Sequence, residues 1–189
     1  MRMGLGRAFM DGMCLRNGMG IQSIAVLGAG QMGNGIAQVA ACAGYDVTMI
    51  DINQEYLDNG MVAVKNSLSR VVKKERMTQD EADFAIAKIS TSTDKNAASS
   101  ADLVIEAIPE IPELKFSTFS ELDEICKPDA ILASNTSSIS INAIAKATNR
   151  PERVIGMHFM NPVPVMKLVE IINGSATSPE VTQLVLDTC

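Results

Sequence analysis

The sequence has no tryptophan, and aromatic residues make up only 4% of it. A stacking platform for nucleic-acid bases is therefore not expected. Histidine occurs once, at His158, so chemistry that needs an imidazole has one candidate. The cysteines, Cys14, Cys42, Cys126 and Cys189, lie too far apart for a CxxC metal or redox motif. They read as free thiols in a reducing, cytoplasmic compartment, and no metal site is expected. No run of about 18 uncharged apolar residues occurs, which argues against a membrane-spanning helix. The net charge of −6 argues against nucleic-acid or anionic-membrane partners, though not against a small anionic ligand.

What remains is 189 residues, 47% hydrophobic and 20% charged, enough for one soluble domain with a substantial core. The first twenty residues differ from the rest, holding five of the thirteen glycines and five of the twelve methionines. They read as a mobile extension, and residues 21–189 as the folded domain. IQSIAVLGAG suggests a first strand ending in glycines. QMGNGIAQVAACAG follows with helical spacing, placing Ile36, Val39, Ala40 and Ala43 on one face and Gly44 as the stop. YDVTMID is a second strand, which completes a β-α-β unit.

Helices are expected over 54–75 and 79–88, the latter opened by a Thr78–Glu81 capping box. ADLVIEAIP (101–109) predicts a third strand. A helix over 111–126 follows, acidic on its outer face. AILAS (130–134), RVIGMHFM (153–160) and KLVEIING (167–174) predict three more strands. A short helix lies in INAIAKAT, and a last one in SPEVTQLVLDTC. Near-continuous apolar strands alternating with helices predict an α/β fold, a doubly wound, mostly parallel sheet of Rossmann type.

Gly28-Ala29-Gly30-Gln31-Met32-Gly33 fits G-x-G-x-x-G, a weak pattern alone. Here it follows a strand, opens a helix, and is answered by Asp51 at the end of the next strand. Gly28 permits the tight turn, Gly30 lets the backbone approach a pyrophosphate, and Gly33 lets helix and strand pack closely. Asp51 can accept hydrogen bonds from both hydroxyls of an adenosine ribose and would repel a 2′-phosphate. No basic residue follows it in Ile52-Asn53-Gln54, so NAD is favoured over NADP. The alternatives are a glycine turn with a helix-capping aspartate, or a site for another nucleoside ligand such as a methyl donor. Polar residues also gather at the later strand ends: Glu106 and Glu110, Asn135 to Ser138, His158 and Asn161. In a doubly wound sheet these ends line the ligand crevice.

GAGQMGNGIAQVAA, DLVIEA, SNTSSISI and above all HFMNPVPVMKLVE resemble the 3-hydroxyacyl-CoA dehydrogenase family, particularly its bacterial 3-hydroxybutyryl-CoA dehydrogenases. The resemblance covers about residues 21–189. It implies oxidation of an (S)-3-hydroxyacyl-CoA to the 3-ketoacyl-CoA with hydride transfer to NAD. His158 matches the family's catalytic base, and an ordinary imidazole, with a pKa of about 6.5, can take and return a proton near neutrality. Glu170 matches the carboxylate that orients it, delivered by a second strand across the Pro162–Pro164 corner. Ser137, next to Ser138, matches the serine that binds the reacting oxygen.

The resemblance implies cofactor contacts from Glu110, Lys115 and Asn161. Gln31 and Met32 inside the glycine loop, and Asn135, complete that set. Ser67 and Lys74 fall where the family contacts CoA. Ile111-Pro112 follow Glu110 where members commonly carry an asparagine. The resemblance further implies a second, mostly helical domain with the dimer interface, so a full-length form would be a homodimer. The chain stops at Cys189, where that domain would begin. The expectation is therefore the NAD-binding domain of an NAD-dependent dehydrogenase acting on acyl-CoA. The alternatives are a non-catalytic NAD-binding module and a dehydrogenase of small hydroxy acids with a similar cofactor domain.

Overall fold

The computed structural model describes residues 20–189. The extension expected over residues 1–20 therefore lies, Gly20 apart, outside the described residues. Seven strands form one sheet: β1 (Ser23–Leu27), β2 (Asp46–Ile50), β3 (Ile89–Ser92), β4 (Leu103–Glu106), β5 (Ile131–Ser134), β6 (Val154–Phe159) and β7 (Val169–Asn173). Their order is β3-β2-β1-β4-β5-β6-β7. Neighbours run parallel, except that β7 is antiparallel to β6. The helices are α1 (Gln31–Cys42), α2 (Gln54–Lys73), α3 (Gln79–Ala87), α4 (Pro112–Ile125), α5 (Ile141–Ala145) and α6 (Pro179–Thr188).

The inner strands β1, β4, β5 and β6 are buried on both faces because helices cover both. Ile24 and Val26 of β1 join a core with Ile36, Met49, Leu57 and Leu68. Ala25 and Leu27, pointing the other way, join one with Val104, Phe119, Leu132 and Ile144. The strand order reverses between β2-β1 and β4-β5, and a crevice opens there at the carboxyl ends.

Two expectations are corrected here. β3 is absent from the sequence reading: Ile-Ser-Thr-Ser is short, and as an edge strand it buries Ile89 while Ser90 and Thr91 stay exposed. The outer face of α4 is acidic at the exposed Glu121 and Glu124, while Asp123 is buried. Its carboxylate accepts from Asn149 N and Nδ2 at 2.8 and 2.9 Å and from Arg150 Nε at 2.6 Å. Burial pushes the Asp123 carboxyl up, but these donors outweigh it and hold it below the usual range. Arg150 Nη1 also donates to Lys127 O at 2.5 Å, just past the carboxyl end of α4, where carbonyls lack helical partners. The second correction is Ala43, which caps α1 and is exposed, whereas Ile36 and Ala40 are buried as expected. The Thr78–Glu81 capping box is present.

At the end of the sheet away from the crevice, Asp102 ties β4 to the start of β1. Its Oδ2 accepts from the Gln22 and Ser23 amides, both at 2.8 Å, and its Oδ1 from Lys127 Nζ at 2.5 Å. Burial opposes ionisation, yet these donors hold the Asp102 carboxyl at about 2. A depressed folded pKa stabilises the fold above the unfolded value, and the effect fades as pH falls through the folded one. Asp102→Asn is thus expected to cost about 2 kcal/mol at pH 7. The gap to the parent should narrow from about pH 4 to pH 2, as read by urea unfolding at several pH values.

Candidate active site

β1 ends in the glycine loop, and each glycine has its own reason. Gly28 takes a φ of +97°, which side chains rarely adopt. A Cβ on Gly33 would lie 1.7 Å from Gly28 O, so α1 can approach β1 only without one. A Cβ on Gly30 would meet nothing within 4 Å. It would project into open space at the helix N-terminus, where a phosphate needs room to reach the backbone amides.

A crevice of about 750 Å³ lies over this loop, with Gly28, Gly30, Gln31, Met32 and Asp51 in its wall. Asp51 Oδ2 accepts from Ala29 N at 2.6 Å and Oδ1 from Ile52 N at 2.7 Å. The carboxylate thus pins the loop while facing the crevice. The cradle, the dipole end of α1 and the acid at the far wall fit a dinucleotide.

The second feature is a cross-strand pair. His158 and Glu170 sit directly opposite in the β6–β7 register. His158 Nδ1 is 2.8 Å from Glu170 Oε2, and Nε2 is 3.1 Å from Ser137 Oγ. If Nδ1 carries the proton towards the carboxylate, Nε2 is left as an acceptor. These residues border a second cavity of about 360 Å³, with Ser138, Asn142 and Asn173 in its wall. Between β6 and β7, Val163 packs against Gly35 of α1, where an added Cβ would lie 2.9 Å from Val163 Cβ. Gln31 Nε2 donates to Asn161 Oδ1 at 3.1 Å. The proline corner is therefore docked on the helix that carries the glycine loop.

Glu110 faces the N-T-S-S loop. Its Oε1 accepts from the Ser137 and Ser138 amides at 2.9 and 3.1 Å and from Thr136 Oγ1. Its Oε2 lies 3.2 Å from Lys115 Nζ. Burial raises the Glu110 carboxyl, but Thr136 and Lys115 outweigh it and hold it at about 2. Pro112, in the first turn of α4, fits the Ile111-Pro112 departure, since an orphan amide is lost there at no cost. Asn135 Oδ1 accepts from Phe159 N at 2.9 Å, which joins the β5 end to β6.

Lys115 is 1% exposed, and its Nζ donates to Glu106 Oε1 at 2.5 Å. Ser67 is half-buried on α2 and Lys74 exposed at its end; neither lines the two cavities. Glu106 and Thr136, read from the sequence as lining the crevice, are buried, as is Ser134, which the sequence reading did not single out; Glu106 and Ser134 line neither cavity. A carboxylate closing the apolar run Leu-Val-Ile-Glu was the available signal, because a buried charge requires a partner. Tyr56, Thr93 and Lys95 in the crevice wall were also omitted, and carry no local motif.

A family model described as "3-hydroxyacyl-CoA dehydrogenase, NAD binding domain" matches residues 23–189. The chain belongs to the 3-hydroxyacyl-CoA dehydrogenase family. The matched part is its NAD-binding domain, and NAD is the cofactor. A probable 3-hydroxybutyryl-CoA dehydrogenase of Bacillus subtilis is 55% identical over 86% of this chain and 56% of its own length. A 3-hydroxyadipyl-CoA dehydrogenase of Escherichia coli is 44% identical over 86% of this chain and 34% of its own length. The solved (S)-3-hydroxybutyryl-CoA dehydrogenase of Ralstonia eutropha has a TM-score of 0.87 at 44% identity, covering 88% of this chain and 59% of that one. The chain thus spans little more than half of the Bacillus and Ralstonia relatives. Among the described residues, no helix is long and apolar enough to cross a membrane.

Asp51→Ala removes the carboxylate expected from the sequence to accept from two ribose hydroxyls, and frees the Ala29 amide. NAD binding by this family member is expected to weaken at least about tenfold in a calorimetric titration, at 1.5–3 kcal/mol for each bond to a charged group. NADP should gain little, since Asp51→Ala adds no cation for its phosphate.

Proposed function

We propose that the protein containing this chain oxidises an (S)-3-hydroxyacyl-CoA, such as 3-hydroxybutyryl-CoA, to the 3-ketoacyl-CoA. The observation that carries this is the His158–Glu170 pair set beside Ser137, at the same end of the sheet as a dinucleotide crevice. NAD supplies the hydride acceptor. His158 Nε2 takes the proton of the 3-hydroxyl as the hydride leaves the carbon that bears it. Glu170 fixes the ring through Nδ1 and stabilises the imidazolium that forms. Ser137 holds the reacting oxygen and is held in turn by Glu110.

Glu110, Asn135 and Asn161 act at the nicotinamide side, with Gln31 and Met32 along the glycine loop. Lys115 serves that side through Glu110. Ser67 and Lys74 on α2 contact the CoA portion. The protein works in the cytoplasm as a homodimer, with the dimer contacts outside this domain.

The test is NADH oxidation with acetoacetyl-CoA, followed spectrophotometrically, by the chain continued to the length of its relatives. Absence of oxidation sinks the reading. Oxidation that free CoA fails to inhibit would point to a small hydroxy acid instead.

A further inference from the structure

We infer that Glu106 is a positioning residue for the Ser137–His158–Glu170 centre, acting through Lys115 and Glu110. Glu106 closes β4 and is 0% exposed. Its Oε1 accepts from Lys115 Nζ at 2.5 Å and from Ile108 N at 2.8 Å; its Oε2 accepts from Ser134 Oγ at 2.6 Å. Two routes lead from it to one loop. Ser134 Oγ accepts from Thr136 N at 3.3 Å. The Lys115 ammonium, shared with Glu110, fixes the carboxylate that takes the Ser137 and Ser138 amides. Ser137 Oγ then meets His158 Nε2 at 3.1 Å.

A pair serving stability alone would need one carboxylate for one ammonium. Here one ammonium joins two, a fully buried carboxylate and a half-exposed one that holds the serine loop. Glu106 also accepts from the Ile108 amide, and Ile108 lies in the wall of the cofactor crevice. One buried carboxylate thereby sets the distance between that wall and the loop of the reacting serine. Among the described residues, Glu106 is the charged member at the inner end of the network. Removing the Glu106 charge leaves Lys115 to Glu110 alone and draws the serine loop out of register.

The purpose assigned to Glu106 rests on the dehydrogenase reading; its test does not. The chain has one histidine, so a tag-free, ¹⁵N-histidine-labelled sample shows one imidazole, with an Nδ1 and an Nε2 signal. Glu106→Gln is expected to shift the Nε2 resonance in the direction produced by Ser137→Ala. The double variant Glu106→Met/Lys115→Met removes both buried charges together, which folds more readily than removing one; it should give the same shift. In the chain continued to its relatives' length, kcat of Glu106→Gln should fall about 10- to 100-fold, by a larger factor than NAD affinity. A lowered melting temperature with the imidazole signal unmoved in the folded variants overturns the inference. Absence of turnover in the parent would instead refute the dehydrogenase reading and leave the imidazole result standing.

Discussion

Replacing His158 by glutamine is expected to lower turnover of the chain continued to its relatives' length by about 10²–10⁴-fold, the usual worth of a positioned general base. Glutamine keeps polarity and nearly the volume, so the β6 backbone and its pairing with β7 should hold. What is lost is the ring nitrogen that faces Ser137 Oγ. NAD affinity should change little, because His158 is not in the wall of the glycine-loop crevice. Glu170→Gln should also lower turnover steeply, since the amide can donate to Nδ1 and hold the ring in the tautomer whose Nε2 carries the proton. Steady-state rates with parallel NAD titrations check both. Loss of NAD binding in His158→Gln would contradict the proton-transfer role.

The second large effect is on stability. Lys115→Met is expected to destabilise the chain by about 3–5 kcal/mol, because it leaves the fully buried Glu106 carboxylate without its cation. Ile108 N and Ser134 Oγ still donate to that carboxylate, but neither carries charge. Adding Glu106→Met should recover most of the loss, since replacing a buried ion pair by apolar groups of similar size is often neutral. Urea unfolding of the two single variants and the double variant checks this. A double variant as unstable as Lys115→Met alone would show that the charges do not act as a pair.

The parts of the fold that were legible in the sequence are those with strong local constraints. The glycine loop announces β1-α1-β2 because only glycine tolerates the φ of Gly28 and the contact at Gly33. The α3 start is legible because a capping box is local. β3 was not, since four residues at a sheet edge carry too little apolar pattern to signal pairing with β2. The pairing of His158 with Glu170 was legible through the whole HFMNPVPVMKLVE string. Lys115 is the instructive case. On the sequence it is one lysine in an amphipathic helix, and the resemblance makes it a cofactor contact. In the fold it lies under the site, facing two carboxylates. Nothing local in a helix tells a solvated lysine from a buried one; the strand ends opposite decide it.

The His158–Glu170 pair is a ladder rung, with each residue supplied by its own strand at facing positions. Side chains alternate faces along a strand, so a slip of β7 by one residue would send the carboxylate to the other side of the sheet. The alignment of β7 thus decides whether His158 faces a carboxylate at all. Insertions or deletions in the proline corner between Asn161 and Leu168 would act on the reaction as frameshifts act on a message, silencing it without touching a reacting atom.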